Sequence, residues 1–176
     1  MGKSLIAFYS RADENYFGGS MKMLTVGNTE VAARILQELT GADMFKIEQK
    51  VPYDRSYDRC IRQAKEDKNK NARPELVNTL DSIADYDVIY LGYPNYWGTV
   101  PMAVCTFLES LDFSGKVIAP FCTHEGSGLA NTPDNIKSAV PDARIIDGLA
   151  IRGRRADKEA ESIQSWAENV ERTARK

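Results

Sequence analysis

The chain has 176 residues, 43% of them hydrophobic, which is enough to bury one core; its formal net charge of −2, from 23 basic and 25 acidic residues, argues against nucleic-acid or membrane binding driven by bulk charge. No stretch reaches the length of apolar sequence that a membrane span needs, and the start, MGKSLIAFYS, turns polar too soon for a signal peptide, so a cytoplasmic protein is expected. Cys60, Cys105 and Cys122 fall without a CxxC pair, which argues against a disulfide framework or a zinc site and predicts reduced thiols.

Ser4 to Tyr9 (SLIAFY) predicts a central first strand. Residues 12–26 are polar, carry Gly18 and Gly19 and show no helical period, so they read as a long inserted loop whose composition predicts mobility. Gly27-Asn28-Thr29-Glu30 then opens a segment with Val31, Ala32, Ile35, Leu36 and Leu39 on one face, an amphipathic helix stopped by Gly41. Met44 to Glu48 reads as a second strand and Val51 to Ser56 as a loop. Tyr57, Cys60, Ile61 and Ala64 recur at helical spacing before the polar run KEDKNKNARP, a solvated helix end and loop. Leu76, Leu80 and Ile83 predict a short helix.

Val88 to Leu91 is a continuous apolar run rich in β-formers, as in a strand buried on both faces of a parallel sheet. Pro101 suits the first turn of the next helix, whose inward face is Val104, Cys105, Leu108 and Leu111. Lys116 to Cys122 predicts a fourth strand, with Pro120 expected at its end or at a bulge. A loop from Thr123 to Thr132 and a helix from about Pro133 to Val140 follow. Ala143 to Ile146, continued through Leu149 to Ile151, reads as a fifth strand, and Ala160, Ile163, Trp166, Ala167, Val170 and Ala174 stripe a final helix. Five strands alternating with helices, without a repeat, predict one α/β domain over residues 1–176 with a doubly wound parallel sheet.

Three loops at strand carboxyl ends carry chemistry, and ligands bind there in open α/β sheets. The first brings Ser10 and Arg11 to a helix start bearing Gly27, Asn28 and Thr29, where free N–H groups and the helix dipole favour a phosphate; the same residues also read as an ordinary helix cap. The second, GYPNYWGTVP, offers Tyr96 and Trp97 as flat rings, suited either to stacking on a planar heterocycle or to packing on the loop's own helix, beside Gly98, which is expected to reorient a peptide group without steric penalty. The third, His124-Glu125-Gly126-Ser127-Gly128, supplies donors for the polar edge of such a ring, or is a flexible glycine turn. No GxxxxGK[ST] or GxGxxG is present, and a lone histidine makes no triad. RGRR, from Arg152 to Arg155, reads as a solvated turn, and Cys122 as a buried strand-end residue.

The ordered combination of YSR, GNTE, GYPNYWGTVP and THEGSG resembles the flavodoxins over essentially the whole chain. The resemblance implies a three-layer sandwich with a five-stranded parallel sheet of order 2-1-3-4-5, holding FMN non-covalently between strands one and three. It further implies that Ser10, Asn28 and Thr29 hold the phosphate with Gly27 giving close approach. Pro94, Asn95, Tyr96, Trp97 and Gly98 would lie along the isoalloxazine, and Thr123, His124, Glu125, Gly126, Ser127 and Gly128 at its other side or edge. Two departures stand out: about fifteen residues are inserted before the phosphate loop, where Val26 replaces a usual Thr so that either the phosphate keeps fewer hydroxyl contacts or Arg11 compensates, and the chain is less acidic than carriers of this family. The implied role is electron transfer to redox partner proteins or a small acceptor, without catalytic side chains, nucleic acid or membrane. An FMN-dependent NAD(P)H:quinone-type reductase is the alternative.

Overall fold

The computed structural model describes residues 2–176. Its core sheet is built from strands that are apolar on both sides. In β1 (Lys3–Phe8), Leu5 and Ala7 enter one core while Ile6 and Phe8 enter the other, as the two-residue side-chain period of a strand requires. The sheet continues through β4 (Asp43–Lys46), β5 (Tyr86–Pro94), β6 (Val117–His124), β7 (Arg144–Ile145) and β8 (Leu149–Arg152). Its order is β4-β1-β5-β6-β7, all parallel, with β8 also paired to β6. This is the expected 2-1-3-4-5 order with the fifth position divided between two short strands.

Pro120 explains that division, and it sits inside β6 rather than at an end or bulge. The Ile146 N–H still donates to the Ile118 carbonyl at 3.0 Å, but the next bond of that ladder would need an N–H on Pro120. The edge strand therefore stops at Ile145 and resumes at Leu149, while the β5 side of the register runs unbroken from Val88↔Val117 to Pro94↔Thr123.

Helices cover both faces. α1 (Asn28–Thr40) and α5 (Ala160–Ala174) bury Ala32, Ala33, Leu36, Ile163, Trp166 and Val170 against Tyr90, Ala119 and Phe121. On the other face α3 (Met102–Glu109) and α4 (Thr132–Ala139) bury Val104, Phe107, Leu108 and Ile136 against Ile89, Leu91 and Tyr93. Each fully buried Val, Leu, Ile or Phe among these is worth about 1.5–3 kcal/mol. α2 (Tyr57–Asn69) buries only Cys60 and Ala64, and a 3₁₀ helix (Gly153–Lys158) leads into α5.

Two expectations are corrected. The helix expected around Leu76, Leu80 and Ile83 is absent: Leu76 pairs antiparallel with Gln49, and Lys50 and Val77 donate N–H bonds to Glu75 and Glu48 carbonyls. Leu76 and Ile83 are core residues, but from extended and irregular backbone. Residues 12–26 are not a structureless loop. They form a hairpin, β2 (Asp13–Tyr16) with β3 (Met21–Leu24), turning at Gly18 (φ 65°) and Gly19 (φ 105°) with the Phe17 N–H bonded to the Ser20 carbonyl at 2.8 Å. Two positive-φ residues between strands make a type I′ turn, the usual two-residue hairpin connection.

Candidate functional site

A cleft of about 440 Å³ opens at the carboxyl ends of β1, β5 and β6. The change of direction between β1 and its neighbours on either side puts it at the sheet's switch point. The three loops singled out in the sequence meet there: Ser10, Arg11, Asn28 and Thr29 from the first, Pro94 to Trp97 from the second, Thr123 to Ser127 from the third. Gly27, Gly98 and Gly128 are not among the residues that line it.

One end of the cleft is the start of α1. Ser10 Oγ accepts the Glu30 N–H at 3.1 Å and the Gly27 carbonyl accepts the Val31 N–H, so the first two N–H groups of the helix, on Asn28 and Thr29, are left at the cleft. Together with the dipole they make an anion site. Close approach is built in: a Cβ on Gly27 would run into Ser10 Oγ and lie 2.5 Å from the Arg11 carbonyl, and one on Gly153 would lie 2.6 Å from Asn28 Nδ2. The Thr29 hydroxyl is bonded to Thr123 Oγ1 at 2.7 Å, both residues being buried.

Arg11 does not stand free beside this site. Its guanidinium donates to the carbonyls of Glu14 (2.5 Å), Asp54 (2.8 Å) and Arg55 (2.8 Å), tying the hairpin to the loop before α2. Its Nε is buried without a partner, as is Glu125 Oε2. One unmet donor and one unmet acceptor on residues lining the cleft are what a ligand carrying both hydroxyls and acceptors would satisfy.

The second loop makes a ring-binding end. Tyr96 and Thr99 exchange backbone hydrogen bonds at 3.0 and 3.1 Å around Trp97 (φ 58°) and Gly98 (φ 79°), another type I′ turn. A tryptophan in the left-handed region costs about 1–2 kcal/mol and is held there by its surroundings. The indole N–H donates to the Ile61 carbonyl at 2.8 Å, Lys65 Nζ lies 4.7 Å from the ring centroid, and Lys68 Nζ donates to the Trp97 carbonyl at 2.8 Å. Asn95 Oδ1 takes the Gly98 N–H at 2.9 Å, so both polar ends of the Trp97–Gly98 peptide are occupied. The Gly98 carbonyl accepts from the Asn131 N–H at 3.2 Å. Tyr96 turns its ring to Tyr9 (5.9 Å, edge-on) and Tyr53 (6.4 Å) beneath the cleft. Burial raises the pKa of all three phenols, and of the Cys60 thiol beside them, so each stays neutral.

In the third loop His124 Nδ1 accepts the Gly126 N–H at 3.0 Å, which places the ring proton on Nε2. Desolvation, reinforced by Arg152, lowers its pKa, and Glu125 opposes the shift. The Gly128 carbonyl accepts from Asn95 Nδ2 at 2.9 Å, joining the second and third loops. Cys122 is buried and pushed up to about 12 by burial, an inert strand residue.

The sequence reading missed the fourth wall. Asn15 and Tyr16 from the hairpin, Tyr57, Cys60, Ile61 and Ala64 from α2, and Gly153 all line the cleft. The Gly18-Gly19 pair was the available signal for the hairpin; nothing local in α2 distinguishes a cleft-lining face from a core-facing one.

A family profile described as flavodoxin matches residues 19–170. No curated protein matches the chain. Among solved structures, a candidate flavoprotein of Bacteroides eggerthii DSM 20697 is 24% identical with a TM-score of 0.78, over 97% of this chain and 99% of that one. A flavoprotein of Lactobacillus acidophilus NCFM in complex with FMN is 19% identical, with a TM-score of 0.64 over 90% and 98% of the two chains. Oxidised flavodoxin 2 of Bacillus cereus is 18% identical, with a TM-score of 0.55 over 97% and 99%. These likenesses establish a shared fold.

Proposed function

The chain belongs to the flavodoxin family, and on that premise we propose that it is a single unit over residues 1–176 that holds FMN non-covalently in the cleft and serves as an electron carrier. The observation that carries the reading is the meeting, in one cleft, of an anion site at the start of α1 with an aromatic end at Trp97. FMN has a phosphate for the first and a planar ring system for the second. When bound it supplies the redox chemistry.

The chain's own groups bind and orient. Asn28 and Thr29 N–H groups hold the phosphate, with the Ser10 hydroxyl fixing the loop by its bond to Glu30. The unpaired Arg11 Nε and Glu125 Oε2 suit the polar chain between phosphate and ring. Trp97, locked by Ile61, supplies a flat apolar surface, and His124, neutral with its proton on Nε2, supplies a donor for the ring's polar edge. Burial holds the Tyr9 and Tyr96 phenols and the Cys60 thiol neutral. Among the described residues no helix is long and apolar enough to cross a membrane; we place the carrier in the cytoplasm.

The FMN-loaded protein, mixed anaerobically with NADH or NADPH, is expected to keep its flavin oxidised until a separate reductase is added. Direct oxidation of the nicotinamide on the timescale of turnover would overturn the carrier reading in favour of a reductase.

A further inference from the structure

The inserted hairpin touches both banks of the cleft. Its base, the Asp13↔Leu24 pair, joins the chain between Arg11 and Gly27, so it rises from the start of α1. On one bank, where α2 packs beside α3, the Glu14 N–H donates to the Arg55 carbonyl at 3.2 Å and Asp13 Oδ1 accepts from Arg55 Nε at 2.9 Å. Ser56 makes no side-chain cap for α2, and Glu14 Oε1 serves instead, accepting the Tyr57 N–H at 2.9 Å. On the other bank, where the 3₁₀ helix packs beside α1, a Cβ on Gly18 would lie 2.6 Å from Arg154 Cδ, so the hairpin turn rests on that side chain. Arg154 follows Gly153, which lines the cleft against Asn28. α2 and the 3₁₀ helix flank opposite faces of the sheet, so a hairpin in contact with both crosses the end of the cleft where α1 begins.

What holds the hairpin down is polar. Tyr16, Met21 and Met23 remain 38%, 48% and 59% exposed, so the two strands bring little apolar burial of their own, and segments of that kind open readily. Asp13, at the foot of the first strand, is held at φ 69°, in the left-handed region. Arg11 closes the junction: Nη1 bonds the Glu14 carbonyl on the hairpin, and Nη2 those of Asp54 and Arg55 on the α2 side. Its third nitrogen, Nε, is buried without a partner, in a residue that lines the cleft. A ligand acceptor bonded there would complete a guanidinium whose other two nitrogens already fasten the hairpin. One side chain then serves the ligand and the closure together.

We infer that the hairpin, residues 13–24, is a strap that closes across the anion end of the cleft and lifts to let the cofactor pass, and that Arg11 is the positioning residue that couples occupancy to closure; the inference rests on the cleft being the FMN site. Lifting breaks the bonds of Asp13 and Glu14 to Arg55 and Tyr57 and leaves the ladder inside the hairpin intact. By reciprocity, the factor that a bound ligand adds to closure is the factor that closure adds to ligand affinity. A strap shut in both the empty and the loaded protein slows entry and exit alike, whereas a residue that only touches the ligand changes exit.

The test follows FMN fluorescence by stopped flow, during uptake by the FMN-free protein and release from the loaded one. Glu14→Ala, in a residue that does not line the cleft, is expected to raise the association and dissociation rates together by about five-fold, the size of one lost helix cap, with little change in affinity. Arg55→Ala, which removes the Asp13 ion pair from a side chain 79% exposed, should raise both by about two-fold. Hydrogen exchange of the Glu14 amide, whose bond crosses the junction, should slow when FMN binds the wild-type protein, and Arg11→Lys should abolish that slowing. Dissociation that rises alone, rates unmoved by either variant, or a Glu14 amide indifferent to FMN overturns the strap, while an intact bound-flavin spectrum leaves the cofactor reading standing. Slowing that survives Arg11→Lys overturns the coupling through Arg11. Absence of bound flavin in the wild-type protein overturns both strap and cofactor reading.

Discussion

Gly27→Ala probes the anion end of the cleft at its tightest point. Gly27 has an ordinary extended backbone (φ −68°, ψ 154°), so alanine meets no conformational barrier and by reducing unfolded-state freedom would stabilise by about 0.4–1 kcal/mol. Against this, its Cβ runs into Ser10 Oγ and lies 2.5 Å from the Arg11 carbonyl. The hydroxyl can rotate away only by giving up the Glu30 N–H, a loss of about 1 kcal/mol. The carbonyl belongs to backbone and yields only if the loop shifts, at about 1–3 kcal/mol. The net expectation is a destabilisation of about 2 kcal/mol in urea unfolding of the FMN-free protein. FMN affinity should fall by about ten-fold or more, because the displaced loop is the one that sets the phosphate donors. Ser10→Ala alone should cost about 1 kcal/mol, and the double variant should be less destabilised than the two single effects added, because the clash and the cap share one oxygen. A Gly27→Ala protein as stable as wild type with unchanged affinity would refute this account of the loop.

Trp97→Ala removes the Ile61 bond, the Lys65 contact and a half-buried ring, so FMN affinity should drop about ten- to hundred-fold by fluorescence titration, with a stability loss of about 1–3 kcal/mol. Thr123→Val leaves the buried Thr29 hydroxyl without its partner and should cost about 1–3 kcal/mol in urea unfolding, without a change in fold by circular dichroism. His124 is the chain's one histidine, so a single imidazole resonance reports it in an NMR titration. Its native pKa should lie below the ordinary 6.5, and the stability tied to its neutral form should be full above pH 6.5 and be lost as pH falls from there through the native value; a native pKa above 6.5 would contradict the assignment of Nδ1 as acceptor.

The sheet order and the three loops were legible because they depend on local signals: apolar runs at Leu5, Ile89 and Ile118, and glycines at strand ends. What escaped depends on pairing across the chain. Leu76 has helical spacing with Leu80 and Ile83, yet its backbone is claimed by Gln49, a partner no local pattern announces. The broken fifth position follows from which way the Pro120 nitrogen faces within β6, a register property. At the site, Ser10, Asn28, Trp97 and His124 line one cleft, and so does Arg11, whose two terminal nitrogens bond the carbonyls of Glu14, Asp54 and Arg55 and leave only Nε without a partner. The hairpin and α2 wall came from the insertion and from a helix whose period gives a buried face but not what that face looks onto. The reorientation expected at Gly98 meets a peptide bonded at both ends, by Lys68 and Asn95. A Gly98→Pro substitution would confound that idea, since proline lacks the N–H and holds φ near about −65° against the observed 79°.

If one cleft reads a phosphate at one end and a flat ring at the other, FMN and riboflavin, which differ by the phosphate alone, must differ in affinity. In a calorimetric titration of the purified protein, the account predicts one FMN bound per chain and riboflavin about 100-fold weaker, the share expected from a phosphate held by charge-assisted bonds at a helix start. No FMN binding, or equal affinity for the two, would contradict it.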